Sequence, residues 1–107
     1  MAKIIWEGGA LIILLDYIEN ARVEFGESTV RRWQKERKNI EWRLERYPLS
    51  YTLEELLQGR DIIYRRCHMM NRRFKLIYFY DETNEIVHIV DIWDTRMNSQ
   101  KLKKRIH

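Results

Sequence analysis

The residues of this chain that could do chemistry are mostly cationic and lie in its last third. Six of them could supply positive charge to a polyanion such as RNA: Arg65, Arg66, Arg72, Arg73, Lys75 and Arg96. Cleavage of RNA without a metal needs a base for the 2′-hydroxyl, an acid for the leaving oxygen and positive charge at the phosphate. His68 lies in the same stretch and is the candidate proton carrier. In the alternative interpretation, the arginines are solvated or paired with carboxylates such as Asp91 or Asp94.

Other kinds of reaction chemistry find no support in the sequence. Three histidines and one cysteine show no spacing typical of metal ligands. The four glycines lie at predicted turns and helix ends rather than in a phosphate-binding loop. We therefore expect no metal and no cofactor, and a nucleotide-dependent enzyme is disfavoured. His88 lies inside an apolar strand, so we predict a core histidine with a satisfied hydrogen bond.

The charge of the chain is unevenly distributed. Its 107 residues predict one domain, residues 1–107, and 45% hydrophobic with 34% charged residues indicate a globular protein. The formal net charge is +4, yet from Ile62 onward ten Lys or Arg residues face only five Asp or Glu residues. This asymmetry favours an acidic partner, either a nucleic acid or an acidic protein.

A β-hairpin is the element that would position most of the cationic residues. Two runs rich in β-branched and aromatic residues, Phe74–Tyr80 and Ile86–Trp93, are joined by the polar stretch 81–85. This pattern is typical of a hairpin. Because Ile86–Trp93 is apolar on both faces, we place it centrally in the sheet.

Helices are predicted in the first half of the chain. Lys3–Glu7 suggests a first strand, and apolar residues then recur at helical spacing over Ala10–Glu24. Ser28 is the predicted N-cap of a second helix that Pro48 ends and whose apolar stripe is Val30, Trp33, Ile40, Leu44 and Tyr47. We expect the two helices to form a hairpin against the sheet, with Trp42 off the apolar stripe and available to cover the sheet or a partner.

The remaining elements complete an α+β fold. Thr52–Glu55 has the pattern of a capping box that opens one more helical turn, which Gly59 closes. Ile62–Met70 reads as a strand before the hairpin, and a basic tail follows it. The predicted order is β-α-α-β-β-β, an antiparallel sheet with a helical hairpin packed on one face.

The sequence also indicates where the protein works. Lone Cys67 excludes an internal disulfide and fits a reducing cytosol. No signal peptide is visible, and the apolar run Ala10–Leu15 is too short to span a bilayer. We expect a cytoplasmic protein with no membrane partner.

Motifs at both ends of the chain keep a characteristic order and spacing. The first are Trp6-x-x-x-Ala10-x-x-x-Leu14, Asp16-Tyr17-Ile18, Phe25-Gly26 and the amphipathic second helix up to Pro48. The last are Phe74-Lys75-Leu76-Ile77-Tyr78 and the run Ile89–Arg96. In this order they resemble the bacterial RelE/ParE toxin superfamily over nearly the whole chain. The resemblance implies the toxin of a type II toxin–antitoxin pair, with a cognate antitoxin as partner.

The superfamily divides by mechanism. RelE-like members cleave messenger RNA at the ribosome with basic residues on the sheet and a strand-end arginine, which Arg96 matches. The resemblance therefore implies a growth-inhibiting, metal-independent endoribonuclease. Its candidate catalytic residues are Arg96, His68 and Arg66. Its candidate RNA-binding residues are Arg65, Arg72, Arg73 and Lys75.

Two alternatives stay open. The long helical hairpin also resembles ParE-type members, which inhibit DNA gyrase and need no catalytic residues. The chain has no lysine between Lys38 and Lys75 and no tyrosine after Tyr80, unlike the RelE-like pattern. The third interpretation is a non-enzymatic relic that only binds an antitoxin.

Overall fold

The computed structural model describes residues 1–97 and 99–106. Strand β1 (Lys3–Trp6) is followed by helices α1 (Gly8–Phe25) and α2 (Glu27–Arg46). The other strands are β2 (Thr52–Leu53), β3 (Arg65–Met69), β4 (Phe74–Asp81) and β5 (Ile86–Asp94). A 3-10 turn, Glu55–Leu57, lies between β2 and β3, and helix α3 (Ser99–Arg105) comes last.

The five strands form one sheet in the order β1-β5-β4-β3-β2. Neighbours from β2 to β5 are antiparallel, and the predicted hairpin is the β4–β5 pair. Strand β1 pairs with β5 in parallel, with Ile4 opposite Val87. The parallel edge arises because the chain leaves β1 for the helices, enters the sheet at its far edge and returns to β1 through three reversals. The α+β fold with β5 inside the sheet is confirmed.

The two long helices form the predicted hairpin on one face of the sheet. Helix α1 buries Ala10, Leu14, Ile18 and Ala21, at steps of three and four residues. Helix α2 buries Val30, Trp33, Ile40 and Leu44. The predicted stripe of α2 thus holds, except that Tyr47 is exposed. Trp42 is also exposed, with the Arg46 guanidinium 4.3 Å from its ring centroid.

The predicted N-cap of α2 is wrong. Helix α2 begins at Glu27, before Ser28, and no side chain caps its first turn. Gly26 has φ of 90°, a conformation that only glycine adopts readily. This residue turns the chain sharply enough for α2 to start directly after α1.

The chain between α2 and β3 also differs from its prediction. Thr52 and Leu53 form a short edge strand rather than a helix cap, and Glu54 caps the 3-10 turn by accepting a hydrogen bond from the Leu56 N–H at 3.1 Å. Strand β3 begins at Arg65 and not at Ile62. The stretch Ile62–Ile63 is exposed, so its apolar character did not signal a buried strand.

A second apolar cluster covers the opposite face of the sheet. Its buried members are Leu57, Tyr64, Ile77, Trp93, Leu102 and Ile106. The predicted basic tail is therefore a helix, α3, whose apolar side packs on the sheet. Among the described residues, we find no helix both long and apolar enough to span a lipid bilayer.

Candidate nucleic-acid interface

Three of the predicted site residues lie on the sheet face opposite the helical hairpin. His68 on β3 is directly opposite Lys75 on β4, and Arg66 is opposite Ile77. Side chains opposite each other on neighbouring strands point to the same face, as do residues two apart on one strand. Arg66, His68 and Lys75 therefore form one cluster, called here the basic face.

The electrostatic surroundings of His68 favour its neutral imidazole. Partial burial lowers the pKa of His68 below its ordinary value of 6.5, and the positive charges of Arg72, Arg66 and Lys75 lower it further. Glu54 acts in the opposite direction, and the net shift remains downward. At neutral pH this imidazole can accept a proton.

Lys75 is buried rather than presented to solvent. Its side-chain nitrogen lies 2.8 Å from Glu54 Oε2, and the two residues are 8% and 2% exposed. Sequence reasoning placed Lys75 among RNA-binding residues and gave Glu54 no role beyond a helical cap. The structure shows that the lysine is paired with a carboxylate contributed by the segment after β2.

Arg65 and Arg66 diverge because they alternate along β3. Arg65 is opposite Tyr78, a member of the helix-side core, so it lies on the other face from Arg66. The Arg65 guanidinium donates to the Tyr51 carbonyl at 2.8 Å. Of these two arginines, only Arg66 lies on the same face of the sheet as His68.

The turn between β3 and β4 has a strained backbone and is supported by side chains of α2. Met70, Asn71 and Arg72 have φ of 52°, 57° and 67°, which is costly for residues with a Cβ. Two side chains of α2 support this turn. Glu36 Oε1 accepts from the Met70 N–H at 2.8 Å, and Arg32 donates to Asn71 Oδ1 at 2.7 Å. This turn presents exposed Arg72 beside His68.

Arg96 lies at a second basic position, where the chain leaves β5. Its guanidinium donates to both carboxylate oxygens of Asp94, at 3.3 and 3.1 Å, yet its side chain is 64% exposed. Burial acts to raise the pKa of Asp94, but hydrogen bonds from Arg96 outweigh it and leave the pKa lowered. Arg73 lies 3.9 Å from the same carboxylate.

The Arg96 corner is joined to the strained turn by Thr95. The Thr95 hydroxyl donates to the Arg73 carbonyl at 2.9 Å, and the Thr95 backbone N–H donates to the same oxygen at 2.8 Å. The structure thus places Arg73 and Arg96 around Asp94 at one end of the strands. Asp94 is opposite Phe74 of the helix-side core, so this corner lies on the side of the helical hairpin and not on the basic face.

The hydrogen bond predicted for His88 is confirmed, but its position in the core is not, because its side chain is 21% exposed. Its Nδ1 lies 2.7 Å from Glu7 Oε1, and its ring stacks on Phe79 at a centroid distance of 4.7 Å. Within residues 1–97 and 99–106, no three His, Cys, Asp or Glu side chains are grouped so that they could hold a metal ion.

The sequence did not predict one ion pair that lies near this face. Arg105 of α3 donates to both oxygens of buried Asp91, and its guanidinium lies 4.7 Å from the Trp93 ring centroid. A helical period in the tail, with Leu102 and Ile106 four residues apart, was the available signal. The pair ties α3 to the sheet beside the basic face.

Comparison with known proteins yields a structural match without a sequence match. No family model matches the chain, and no curated protein matches its sequence at a significant level. Among solved structures, the crystal structure of the isolated E. coli RelE toxin is similar to this chain with a TM-score of 0.59 and 15% identity. The alignment covers 100% of both chains. The whole chain therefore has a RelE-like fold.

Proposed function

From the RelE-like fold of the entire chain, we propose that this protein is a growth-inhibiting toxin of a type II toxin–antitoxin module that cleaves messenger RNA at the ribosome without a metal. The observation that carries the proposal is the placement of His68 between Arg66 and Lys75 on one sheet face. These groups supply a proton acceptor and positive charge, which are two of the requirements of metal-free RNA cleavage.

In the proposed reaction, His68 takes the proton of a ribose 2′-hydroxyl. The 2′-oxygen attacks the adjacent phosphorus, the bond from phosphorus to the 5′-oxygen breaks, and the His68 imidazolium returns the proton to that oxygen. The products are a 2′,3′-cyclic phosphate and a 5′-hydroxyl end. Arg66 and Arg72 stabilise the charge on the phosphorane oxygens, and Arg96 binds a neighbouring phosphate of the RNA.

Inhibition of DNA gyrase is the second candidate function. Helices α1 and α2 contain 18 and 20 residues, and α1 exposes Ile12, Leu15 and Val23 on the side away from the sheet. An exposed apolar stripe suits protein binding and requires no catalytic residue.

Controlled expression in bacteria would separate these functions. We expect growth arrest accompanied by messenger RNA fragments with 2′,3′-cyclic phosphate ends, and no accumulation of cleaved DNA. Arrest with cleaved DNA and intact RNA would favour the gyrase inhibitor. Absence of arrest at a confirmed level of folded protein would refute both and favour a relic.

A cognate antitoxin is the proposed protein partner. A groove of about 810 Å³ lies between the end of the helical hairpin and the β3–β4 turn. Phe25 and Met70 give it apolar surface, and its charged lining is Arg32 and Arg73 together with Glu24 and Asp94. This combination of apolar surface and charges of both signs suits an amphipathic segment.

We expect the product of the neighbouring gene to rescue growth and to co-purify with this protein. Phe25→Asp should weaken that complex by at least about tenfold, because it places a carboxylate in an apolar contact. Leu49→Asp is a control, since Leu49 is also exposed and does not line the groove. The docking site would be refuted if Phe25→Asp and Leu49→Asp bound the antitoxin equally well.

Substitution of Arg96 tests the role of its positive charge without unfolding the protein. Arg96→Ala should weaken RNA binding and so lower kcat/KM for cleavage by about 10- to 100-fold, because a hydrogen bond to a charged group contributes about 1.5–3 kcal/mol. Because the side chain is mostly exposed, the melting curve should stay close to that of the parent protein. Arg96→Lys should restore only part of the activity, since an ammonium cannot make the two parallel bonds of a guanidinium. Arg31→Ala on α2 is the matched control, and equal activity of both alanine variants would exclude Arg96 from the site.

A further inference from the structure

One short segment provides a hydrogen-bond acceptor or a carboxylate to three of the basic residues on β3 and β4. Residues 51–54, called here the masking segment, place an acceptor at each of them. The Tyr51 carbonyl accepts from Arg65 at 2.8 Å, and the Leu53 carbonyl accepts from Arg66 at 2.5 Å. The Glu54 carboxylate lies 2.8 Å from the Lys75 nitrogen. The segment thus occupies donors of Arg66 and Lys75 on the basic face, and its contact with Arg65 holds it from the other face.

Glu54 is the charged member of this segment and is poorly satisfied. Its Oε1 accepts from the Leu56 N–H, but Oε2 is fully buried and makes no well-aligned hydrogen bond. Its contact with Lys75 is therefore a charge–charge attraction with an incomplete set of hydrogen bonds. Burial of a carboxylate in this way is costly, and the attraction offsets the cost only when the geometry is good.

The surroundings of Glu54 resemble those of a bound phosphate. Lys75 contacts it directly, His68 is the cross-strand neighbour of Lys75, and Arg66 lies two residues before His68 on the same face. One carboxylate here faces several cationic or proton-carrying groups. A phosphodiester carries the same single negative charge and offers two unesterified oxygens as acceptors.

The part of the masking segment that must move is residues 52–54, at the edge of the sheet, while Tyr51 stays packed against Tyr78 of the helix-side core. Strand β2 has only two residues, both exposed, and it lies at the edge of the sheet. Short edge elements with few buried contacts open at low free-energy cost. Beyond the two β3 partners of β2, the Glu54 N–H donates to the Tyr64 carbonyl at 2.9 Å, and the Glu54 carbonyl accepts from the Leu57 N–H of the 3-10 turn at 3.2 Å.

We infer that Glu54 is an internal occupant of a phosphodiester subsite formed by Lys75, Arg66 and His68, and that RNA binding displaces it. This inference deepens the proposed function and rests on it for the identity of the polyanion. Lys75 then contributes to binding only after the masking segment has moved, so the free protein holds its basic face in a blocked form.

Substitution of Glu54 should increase affinity for phosphate. We expect Glu54→Gln to bind inorganic phosphate and a short single-stranded RNA at least about tenfold more tightly than the parent protein, as measured by calorimetry, because removal of the occupant frees Lys75. Glutamine keeps the shape and can still accept from the Leu56 N–H. Glu55→Gln is the matched control, since Glu55 is adjacent and exposed, and the net charge changes equally.

A double variant and the unmodified protein test the same inference. Lys75→Gln combined with Glu54→Gln should return phosphate affinity to the parental level or below. In the unmodified protein, saturation with phosphate should increase hydrogen exchange of the Glu54 amide, which is bonded to Tyr64 in the blocked form. This second measurement does not depend on the folding of any variant.

If Glu54 only stabilises the fold, Glu54→Gln will lower stability without a gain in phosphate affinity. The Glu54 amide will then stay protected from hydrogen exchange in saturating phosphate. Either result overturns the inference. Equal gains in Glu54→Gln and Glu55→Gln would also overturn it, since net charge alone would then explain the binding. Because these readouts measure phosphate binding, loss of the proposed nuclease function would appear separately, as absence of RNA fragments during growth arrest.

Discussion

Replacement of His68 by glutamine should slow RNA cleavage by about 10²–10⁴-fold, the usual contribution of a positioned general base. Glutamine can keep a hydrogen bond at this position but cannot accept the 2′-hydroxyl proton. RNA binding should change little, because the neighbouring positive charges of Arg66 and Arg72 remain. The measurement is single-turnover cleavage of ribosome-bound messenger RNA, with the 2′,3′-cyclic ends counted directly.

The pH dependence gives an independent readout of the same role. Burial and neighbouring positive charges lower the pKa of His68 below 6.5. A base with a lowered pKa stays unprotonated down to more acidic pH, so the acidic limb of kcat/KM should be centred below pH 6.5. His88→Gln is the matched control and should cleave at nearly the parental rate. Comparable losses in His68→Gln and His88→Gln, or a rate limb centred above 6.5, would rule out His68 as the base.

Replacement of Ile92 by alanine should lower the free energy of unfolding by about 2–5 kcal/mol, because the missing atoms leave a cavity in a fully buried site. Ile92 lies on β5 opposite Leu76, within the core between the sheet and the helical hairpin. Ile89→Ala should have an effect of similar size, since Ile89 is buried in the same core. Chemical denaturation measured by tryptophan fluorescence would report both.

Ile63→Ala removes the same atoms from a site that is 65% exposed, so it should change stability by no more than about 0.5 kcal/mol. Growth arrest should fall in Ile92→Ala for want of folded protein and persist in Ile63→Ala. Equal stability of these two variants would show that Ile92 does not lie in the core.

Residue patterns within a short stretch of sequence correctly predicted the hairpin and the buried stripe of α2. The β4–β5 hairpin follows from two apolar runs around a polar turn, and the helical stripe of Val30, Trp33, Ile40 and Leu44 follows from their spacing. Both predictions are confirmed. The start of α2 was misplaced because Ser28 has the chemistry of a cap, whereas the actual boundary is set by the positive φ of Gly26. Sequence pattern gives no direct measure of that backbone angle.

The arrangement of the site depended on contacts between distant residues. Alternation along β3 separates Arg65 from Arg66, and this could have been read from the sequence once the strand was placed. The pairing of Lys75 with Glu54 could not, because it depends on how an irregular segment crosses the sheet. The support of the β3–β4 turn by Glu36 was equally hidden, since the two are joined only when α2 packs on the sheet.

The parallel edge of the sheet has a consequence for biosynthesis. Strand β1 is made first, yet the strand that pairs with it is the last of the five to emerge from the ribosome. Until then the helical hairpin has no complete sheet on which to bury its apolar side. Contacts between distant parts of a chain form late in folding, because a large loop must close before they can form. The complete sheet, and the burial of the helical hairpin against it, therefore form only near the end of translation.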